Sequence, residues 1–300
     1  MSRQLARDGN AGAQFNLGHM YSEGLGVQKD DVQSSRWYQL AAEQGDARAQ
    51  FNLGSRFSTG TGVAQSFTEA LRWYRRAAAQ GQASAQYNLG MSYIEAKGVA
   101  KDYVEAGKWF RLAAAQAHPS AQYSLGLIYE RGFGVAQDDK QATSWYQLAA
   151  AQGMELAQLR LGQQYVTGKG APQDYPMALK WFRLAAAQGN PDAQYSLGIM
   201  YDQGKGVVKD YAAASTWFLL AAAQGKVDAQ YNMSSMYFKG EGVPQNLLRA
   251  HMWANLAAAN GHAEAAENRD VFAAKMTSAQ IEQAQKMARD CHARHYKHCE

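Results

Sequence analysis

The chain has 300 residues, of which 47% are apolar, 19% are charged and 11% are aromatic, and its net charge is +4. This composition excludes an intrinsically disordered chain, which would be poorer in apolar residues or more strongly charged. Membrane insertion is not expected, because no apolar run approaches the roughly 18 to 20 residues that cross a bilayer.

A period of 36 residues runs through the chain. All seven tryptophans follow it: Trp37, Trp73, Trp109, Trp145, Trp181, Trp217 and Trp253. Glutamines at Gln14, Gln50, Gln86, Gln122, Gln158, Gln194 and Gln230 keep the same step, as do glycines at Gly26, Gly62, Gly98, Gly134, Gly170, Gly206 and Gly242. A constant period of this length indicates a stacked-repeat protein. Seven repeats are predicted over residues 10–261, with residues 1–9 before them and 262–300 after them.

The first half of each repeat is predicted to be a helix of about three turns. In the repeat that contains residues 85–116, Ala85, Leu89 and Tyr93 lie at i, i+4 and i+8, on one face of a helix. Gly90 is expected to leave room for a neighbouring backbone. The helix is predicted to end at a G-x-G-V loop, because glycine readily adopts the left-handed conformation that terminates helices.

A second helix is predicted to begin three residues after the valine of that loop. Every repeat has a suitable N-cap there: Asp30, Ser66, Asp102, Asp138, Asp174, Asp210 or Asn246. In the same repeat, Ala106, Trp109 and Ala113 follow at helical spacing. Each repeat is thus a helical hairpin, whose tryptophan is expected to lie between its own first helix and the next repeat.

The pattern A-Q-x-x-L-G-x-x-Y-x-x-G-x-G-V-x-x-D-x-x-x-A-x-x-W-Y/F-x-x-A-A-x-Q-G resembles the Sel1-like repeat, a relative of the tetratricopeptide repeat. The resemblance covers residues 10–261 and implies an all-α fold, a right-handed α/α superhelical solenoid whose first helices line a concave surface. Departures are local, such as Ala96 in place of the first loop glycine and Ser234 in place of the helix glycine.

The two ends differ from the repeats. Residues 1–9 align with the end of a second helix, so we expect a partial helix of a preceding, truncated repeat. Residues 262–300 are predicted to form capping helices and a Cys/His tail, with a capping box between Thr277 and Gln280.

The tail contains the only two cysteines, Cys291 and Cys299, together with His292, His295 and His298. Along a continuous helix the two cysteines would be about 12 Å apart, too far for one zinc ion or a disulfide. Either the helix ends near Ala293 and the tail turns back, or the thiols stay free, and a metal site is a third alternative. The spacing is similar to that of the cysteine-rich branch of the Sel1 family, which implies a Cys291–Cys299 disulfide.

That disulfide would favour a periplasmic or secreted protein, whereas an authentic start at Met1 would favour the cytoplasm. The sequence does not specify the oligomeric state.

No catalytic, cofactor-binding or metal-binding motif is present, and His19, His118, His251 and His262 occupy different phases of their repeats. We therefore predict a protein that is not an enzyme and needs no cofactor. The alternative, again from the cysteine-rich branch, is a weak hydrolase of the β-lactamase or penicillin-binding type. This chain lacks the dense cysteines of that branch and a Ser–Lys nucleophile signature.

Two residues of each first helix vary between repeats while the pattern around them recurs. They are mostly neutral or apolar, so nucleic-acid binding is not expected. We predict a scaffold or adaptor, typical of bacteria, that binds another protein or peptide on the concave surface. The residues predicted to bind it are Met20, Arg56, Met91, Leu127, Ile128, Gln164, Ile199, Met200 and Met236. The alternative is that some of them fill space between adjacent hairpins.

Overall fold

The computed structural model of the protein describes residues 2–297 and residue 299, with side chains from residue 4 onward. In this part of the chain it contains helices and no β-strand. The helices are α1 (Ser2–Arg7), α2 (Ala11–Glu23), α3 (Asp31–Glu43), α4 (Ala47–Thr59), α5 (Phe67–Ala79), α6 (Ala83–Glu95), α7 (Tyr103–Ala115), α8 (Pro119–Arg131), α9 (Asp139–Ala151), α10 (Glu155–Thr167), α11 (Tyr175–Ala187), α12 (Pro191–Gln203), α13 (Tyr211–Ala222), α14 (Val227–Lys239), α15 (Leu247–Ala259), α16 (Ala263–Ala273) and α17 (Ser278–Ala293).

The helices form two compact units, with α1 to α9 in unit 1, which ends at Gln152, and α10 to α17 in unit 2, which begins at Gly153. From α1 to α9, and from α10 to α16, each helix packs against the next one along the chain. Even-numbered helices from α2 to α14 are the first helices of the repeats, and odd-numbered helices from α3 to α15 are the second. The predicted all-α solenoid of helical hairpins is confirmed within each unit.

The predicted caps are present at both ends of the hairpin loop. All seven predicted N-cap side chains accept a hydrogen bond from a backbone N–H in the first turn of the second helix. Six first helices of the repeats end at a glycine in the left-handed region, and α6 ends at Ala96 with φ 56°. The capping box of Thr277 and Gln280 is also confirmed.

The second glycine of the loop allows adjacent repeats to approach closely. Gly134 has φ 69°, and a Cβ atom at this position would lie 2.9 Å from the backbone nitrogen of Val104, at the start of the preceding second helix. Any larger residue would collide with that backbone, which explains why this glycine keeps the 36-residue step.

The glycine inside each first helix makes room for an aromatic ring. The Phe110 ring lies against Gly90 so closely that a Cβ on Gly90 would be 2.6 Å from the Phe110 Cδ1 atom. At the equivalent Gly54 the backbone carbonyl oxygen of Ala70 would also lie 3.2 Å from such a Cβ, so a neighbouring backbone comes close there as well as the ring. The same pair recurs as Gly18–Tyr38, Gly54–Tyr74, Gly126–Tyr146, Gly162–Phe182 and Gly198–Phe218. In the last repeat both members change together, to Ser234 and Ala254, which is consistent with their sharing one space.

In repeats 1 to 6 the tryptophan directly precedes this buried aromatic residue, and in repeat 3 it packs in the other direction from the one expected. Trp109 of α7 packs against a cluster that contains Tyr74 of α5 and Leu89 of α6. It thus contacts its own first helix and the preceding repeat, not the following one. Five of the seven tryptophans are only half-buried, whereas Phe110 is 1% exposed. In this hairpin the residue after the tryptophan is therefore more deeply buried than the tryptophan itself.

Gln86 of α6 joins three helices. The Gln86 side chain donates to the carbonyl oxygen of Ala78 at 3.2 Å, at the end of the preceding second helix. Its own Oε1 accepts from Gln116 at 2.9 Å, at the end of the following second helix. Because Gln86 is buried, these hydrogen bonds satisfy polar groups that water does not reach.

The last repeat is covered by the C-terminal helices. Met252 and Leu256 of α15 are buried in the same cluster as Ala288 and Cys291 of α17. The residue equivalent to Leu256 in the preceding repeat, Leu220, is 45% exposed. Helix α17 packs on α15 and ends at Ala293, after which the chain turns back. Cys291 and Cys299 form a disulfide with Cα atoms 5.0 Å apart.

Candidate functional site

The structure divides the predicted partner-binding residues into two groups. Five are buried: Arg56, Ile128, Gln164, Met200 and Met236. Ile128 lies seven residues after Ala121 and three after Leu125, so it shares the helix face of these core residues. These five side chains are therefore not exposed. They fill space between helices, as the alternative proposed, although Met200 also lines the pocket described below.

Arg56 shows what such a buried position does. Its guanidinium forms an ion pair with Asp31 at 3.3 Å and donates to the Ser22 hydroxyl at 2.9 Å. Both partners belong to the preceding repeat, and the guanidinium also lies 5.4 Å from the centre of the Tyr38 ring. Arg56 therefore joins two repeats and is not a rim charge that attracts a partner.

The other four residues are half-buried: Met20, Met91, Leu127 and Ile199. Met20 and Met91 pack against apolar clusters of unit 1. Ile199 packs against the apolar cluster of unit 2 and, together with Met200, lines a pocket.

The pocket lies in unit 2 and has a volume of about 230 Å³. Helices α10, α11 and α12 and the loop after α12 supply its lining: Gln163, Val166, Thr167, Phe182, Tyr195, Ser196, Ile199, Met200 and Lys205. Most of the lining surface is apolar, with the polar groups at a few positions. We define the first-helix face of unit 2 as the surface formed by α10, α12 and α14.

Several lining residues were not predicted from the sequence. Val166 follows Gln163 by three residues and Ile199 follows Tyr195 by four, so each pair shares one face of its helix. This same-face spacing in two successive first helices was the sequence signal that could have indicated the pocket. Lys205 comes from the G-x-G loop, which sequence reasoning had assigned only to helix capping.

Two side chains of the pocket lining are smaller than their counterparts in repeat 2. There burial raises the pKa of Tyr74, and Asn88 of the next first helix acts in the opposite direction. The equivalent residues here are Phe182, which has no hydroxyl, and Ser196, which is shorter than asparagine. The same smaller pair occurs as Phe110 and Ser124, so the lining residues found at this site alone are Gln163, Val166 and Ile199.

Lys205 is half-buried and forms no ion pair among the residues that the structure describes. Its ammonium group lies 5.9 Å from the centre of the Tyr175 ring. A lysine with its stem against apolar groups and its charge unpaired can still bind an anion.

Burial raises the pKa of Tyr195, and the nearby Asp228 acts in the same direction. The phenol is therefore neutral at physiological pH. Lys226 lies 5.5 Å from the centre of its ring, but that lysine is already paired with Asp192 at 2.8 Å and with Asp228 at 3.2 Å. The pocket thus combines a neutral aromatic wall with the positive charge of Lys205.

Across residues 2–297 and residue 299, no three His, Cys, Asp or Glu side chains gather in a way that could hold a metal ion. His298, one of the ligands considered for the tail, lies outside the described residues. None of the described helices is both long and apolar enough to cross a membrane.

Comparison with known proteins gives one family. The Sel1 repeat model matches residues 11–46, 47–82, 83–118, 119–154, 156–190, 191–226 and 227–262. A Sel1 repeat protein from Oxalobacter formigenes is 35% identical, with a TM-score of 0.72 over 89% of this chain and 77% of that one. The antigen c5321, described as protective and present in uropathogenic Escherichia coli strains, is 28% identical, with a TM-score of 0.60 over 99% of this chain and 87% of that one. No curated protein matches the chain.

Proposed function

The chain belongs to the Sel1 repeat family, and from that premise we propose that it is a non-catalytic scaffold that binds a segment of another protein. The binding site is the pocket between α10 and α12, on the first-helix face of unit 2. The observation that carries this proposal is an apolar pocket whose lining includes Gln163, Val166 and Ile199, three side chains that no other repeat has at those positions.

The distinction between recurring and repeat-specific residues supports this site. The glutamine, glycine and aromatic residues that hold the hairpins together recur along the chain. Gln163, Val166 and Ile199 do not recur at their positions in the other repeats. An apolar pocket with a few polar groups on its lining is the usual form of a binding site, since apolar contact supplies affinity and polar groups fix orientation.

The experiment is selection of random peptides displayed on phage against the full chain, followed by measurement of peptide affinity by fluorescence anisotropy. Ile199→Glu should weaken the selected peptides by at least about tenfold, because a carboxylate would be desolvated in the pocket. Leu127→Glu is the matched control, since Leu127 holds the same position two repeats earlier, in unit 1. Thermal unfolding of both variants verifies that the fold is kept.

Equal affinity for the wild-type chain and Ile199→Glu would place binding elsewhere and refute the proposal. Loss of binding in both variants would also refute it, because Leu127 lies outside the pocket.

No catalytic role is proposed for the serine and lysine of the pocket. The Ser196 hydroxyl donates to the carbonyl oxygen of Asp192 at 2.7 Å, and no hydrogen bond in the described part of the chain joins it to Lys205. We expect no hydrolysis of nitrocefin above the buffer rate. Turnover that is abolished in Ser196→Ala would establish the hydrolase alternative instead.

A further inference from the structure

We propose that the pocket between α10 and α12 accepts a large apolar side chain of an acidic partner segment, and that Lys205 binds a carboxylate next to that side chain. This inference rests on the proposed function and specifies the chemistry of its partner.

The size of the pocket favours a side chain over a free small molecule. Its volume of about 230 Å³ is below the roughly 300 to 1,000 Å³ of typical small-molecule sites. Val166, Phe182 and Ile199 supply rigid apolar walls, and the flexible thioether of Met200 can adapt to the shape of the inserted group. A leucine, methionine or phenylalanine side chain is the occupant that suits these walls.

The charge of Lys205 is the second feature that specifies the partner, because it favours a carboxylate. At the same loop position in repeat 3, Lys97 forms an ion pair with Glu95 at 2.6 Å. The residue equivalent to Glu95 in repeat 6 is Gln203, so Lys205 has no intramolecular acid at that site. The positive charge is therefore available to an acid from outside the chain.

A carboxylate fits this arrangement better than a phosphate. Phosphate sites usually gather several donors, such as arginine side chains or the free N–H groups at a helix N-terminus. The pocket lining contains one cation, Lys205, and no arginine. A single ammonium group at the edge of an apolar pocket matches a single carboxylate beside an apolar side chain.

The test uses the random peptides selected on phage against the full chain. We expect selected sequences to be enriched in Asp or Glu within two or three positions of a large apolar residue, the reach of the lysine side chain. A selected peptide should bind Lys205→Met about fivefold more weakly, as expected for one partly exposed ion pair. Replacing its acid by the amide should weaken binding to the wild type by a similar factor, with little further effect in Lys205→Met.

Lys169→Met is the matched control, because Lys169 holds the same loop position one repeat earlier and does not line the pocket. Selected peptides without acidic enrichment, or equal binding to Lys205→Met and the wild type, would overturn the inference. If the selected peptides still bind Ile199→Glu more weakly than the wild type, the proposed function stands and only the role of Lys205 is refuted. Peptides that are insensitive to Ile199→Glu would refute the proposed function itself.

Discussion

The Tyr296 ring lies against Gly225, where a Cβ atom would be only 3.1 Å from the ring. The Tyr296 hydroxyl also lies within hydrogen-bonding distance of the Asn260 amide, at 3.1 Å. These two contacts connect the tail to the turns that follow α13 and α15. The disulfide between Cys291 and Cys299 closes the short loop that carries Tyr296, so it holds the ring in this place.

Removal of the disulfide should loosen the cover of the last repeat. The double variant Cys291→Ala, Cys299→Ala should lower the local stability of α15 and α17 by about 2 kcal/mol, the usual effect of opening a short loop. Hydrogen exchange of the amides in these helices measures it, with α4 and α5 of unit 1 as internal controls that should not change. Unaltered exchange in α15 and α17 would contradict the role assigned to the disulfide.

The glycine that faces an aromatic ring should not tolerate even a methyl group. Gly90→Ala should lower the free energy of unfolding by about 1 to 3 kcal/mol, because the new Cβ would overlap the Phe110 ring. Gly107→Ala is the control: its nearest neighbour, Ile128 Cδ1, would be 3.8 Å away. That change should stabilise the chain by about 0.5 to 1 kcal/mol, since alanine favours the helix. If urea unfolding showed that both variants change the free energy of unfolding in the same direction, the two glycines would not differ in the room around them.

The buried glutamines should contribute more to the free energy of unfolding than exposed glutamines do. Gln86→Ala should cost about 1 to 3 kcal/mol, because it removes both hydrogen bonds of a buried side chain and leaves its space unfilled. Gln39→Ala removes a hydrogen bond to Glu43 on an exposed surface and should cost less than about 0.5 kcal/mol. Chemical unfolding of both variants gives the comparison, and equal losses would mean that burial adds nothing to the glutamine contacts.

Stability should fall at acid pH because His118 is held neutral. Burial lowers the pKa of His118 below its usual 6.5, and its Nδ1 accepts from the Ala121 N–H at the start of α8. As the pH falls below about 6.5, the unfolded chain binds the additional proton first, so the folded state loses stability until the lower folded pKa is reached. Above that window both states are neutral and the contribution is constant.

His118→Asn preserves a capping acceptor without a titrating group. The fall in melting temperature between about pH 7.5 and pH 5 should therefore be smaller in this variant than in the wild type. Identical falls would show that His118 does not contribute to the acid sensitivity.

Most of the fold could be predicted from the sequence, because each repeat has the same residue types at the same positions and therefore forms the same local structure. The N-caps, the left-handed glycines and the hairpins all follow from residue types at fixed spacing. The tryptophan was harder to place. Trp109 and Phe110 are adjacent and both aromatic, and only the space at Gly90 determines which one is fully buried.

The candidate site was less predictable, because it depends on residues that occur in only one repeat each, such as Val166 and Ile199. The two variable positions of each first helix were treated as one surface, although consecutive residues on a helix differ in direction by about 100°. Met200 is consequently buried while Ile199 is half-exposed. Val166 and Ile199 are far apart in the sequence, and they line one pocket only because α10 and α12 lie side by side.

The most direct test of the central claim is methyl NMR of the full chain with labelled Ile, Leu, Val and Met, titrated with a peptide selected on phage. The account predicts shifts at Val166, Ile199 and Met200, with Leu127 of unit 1 unchanged. Shifts confined to the exposed leucines of the second helices, such as Leu184 and Leu220, would contradict it, because binding would then use the opposite helices of each hairpin.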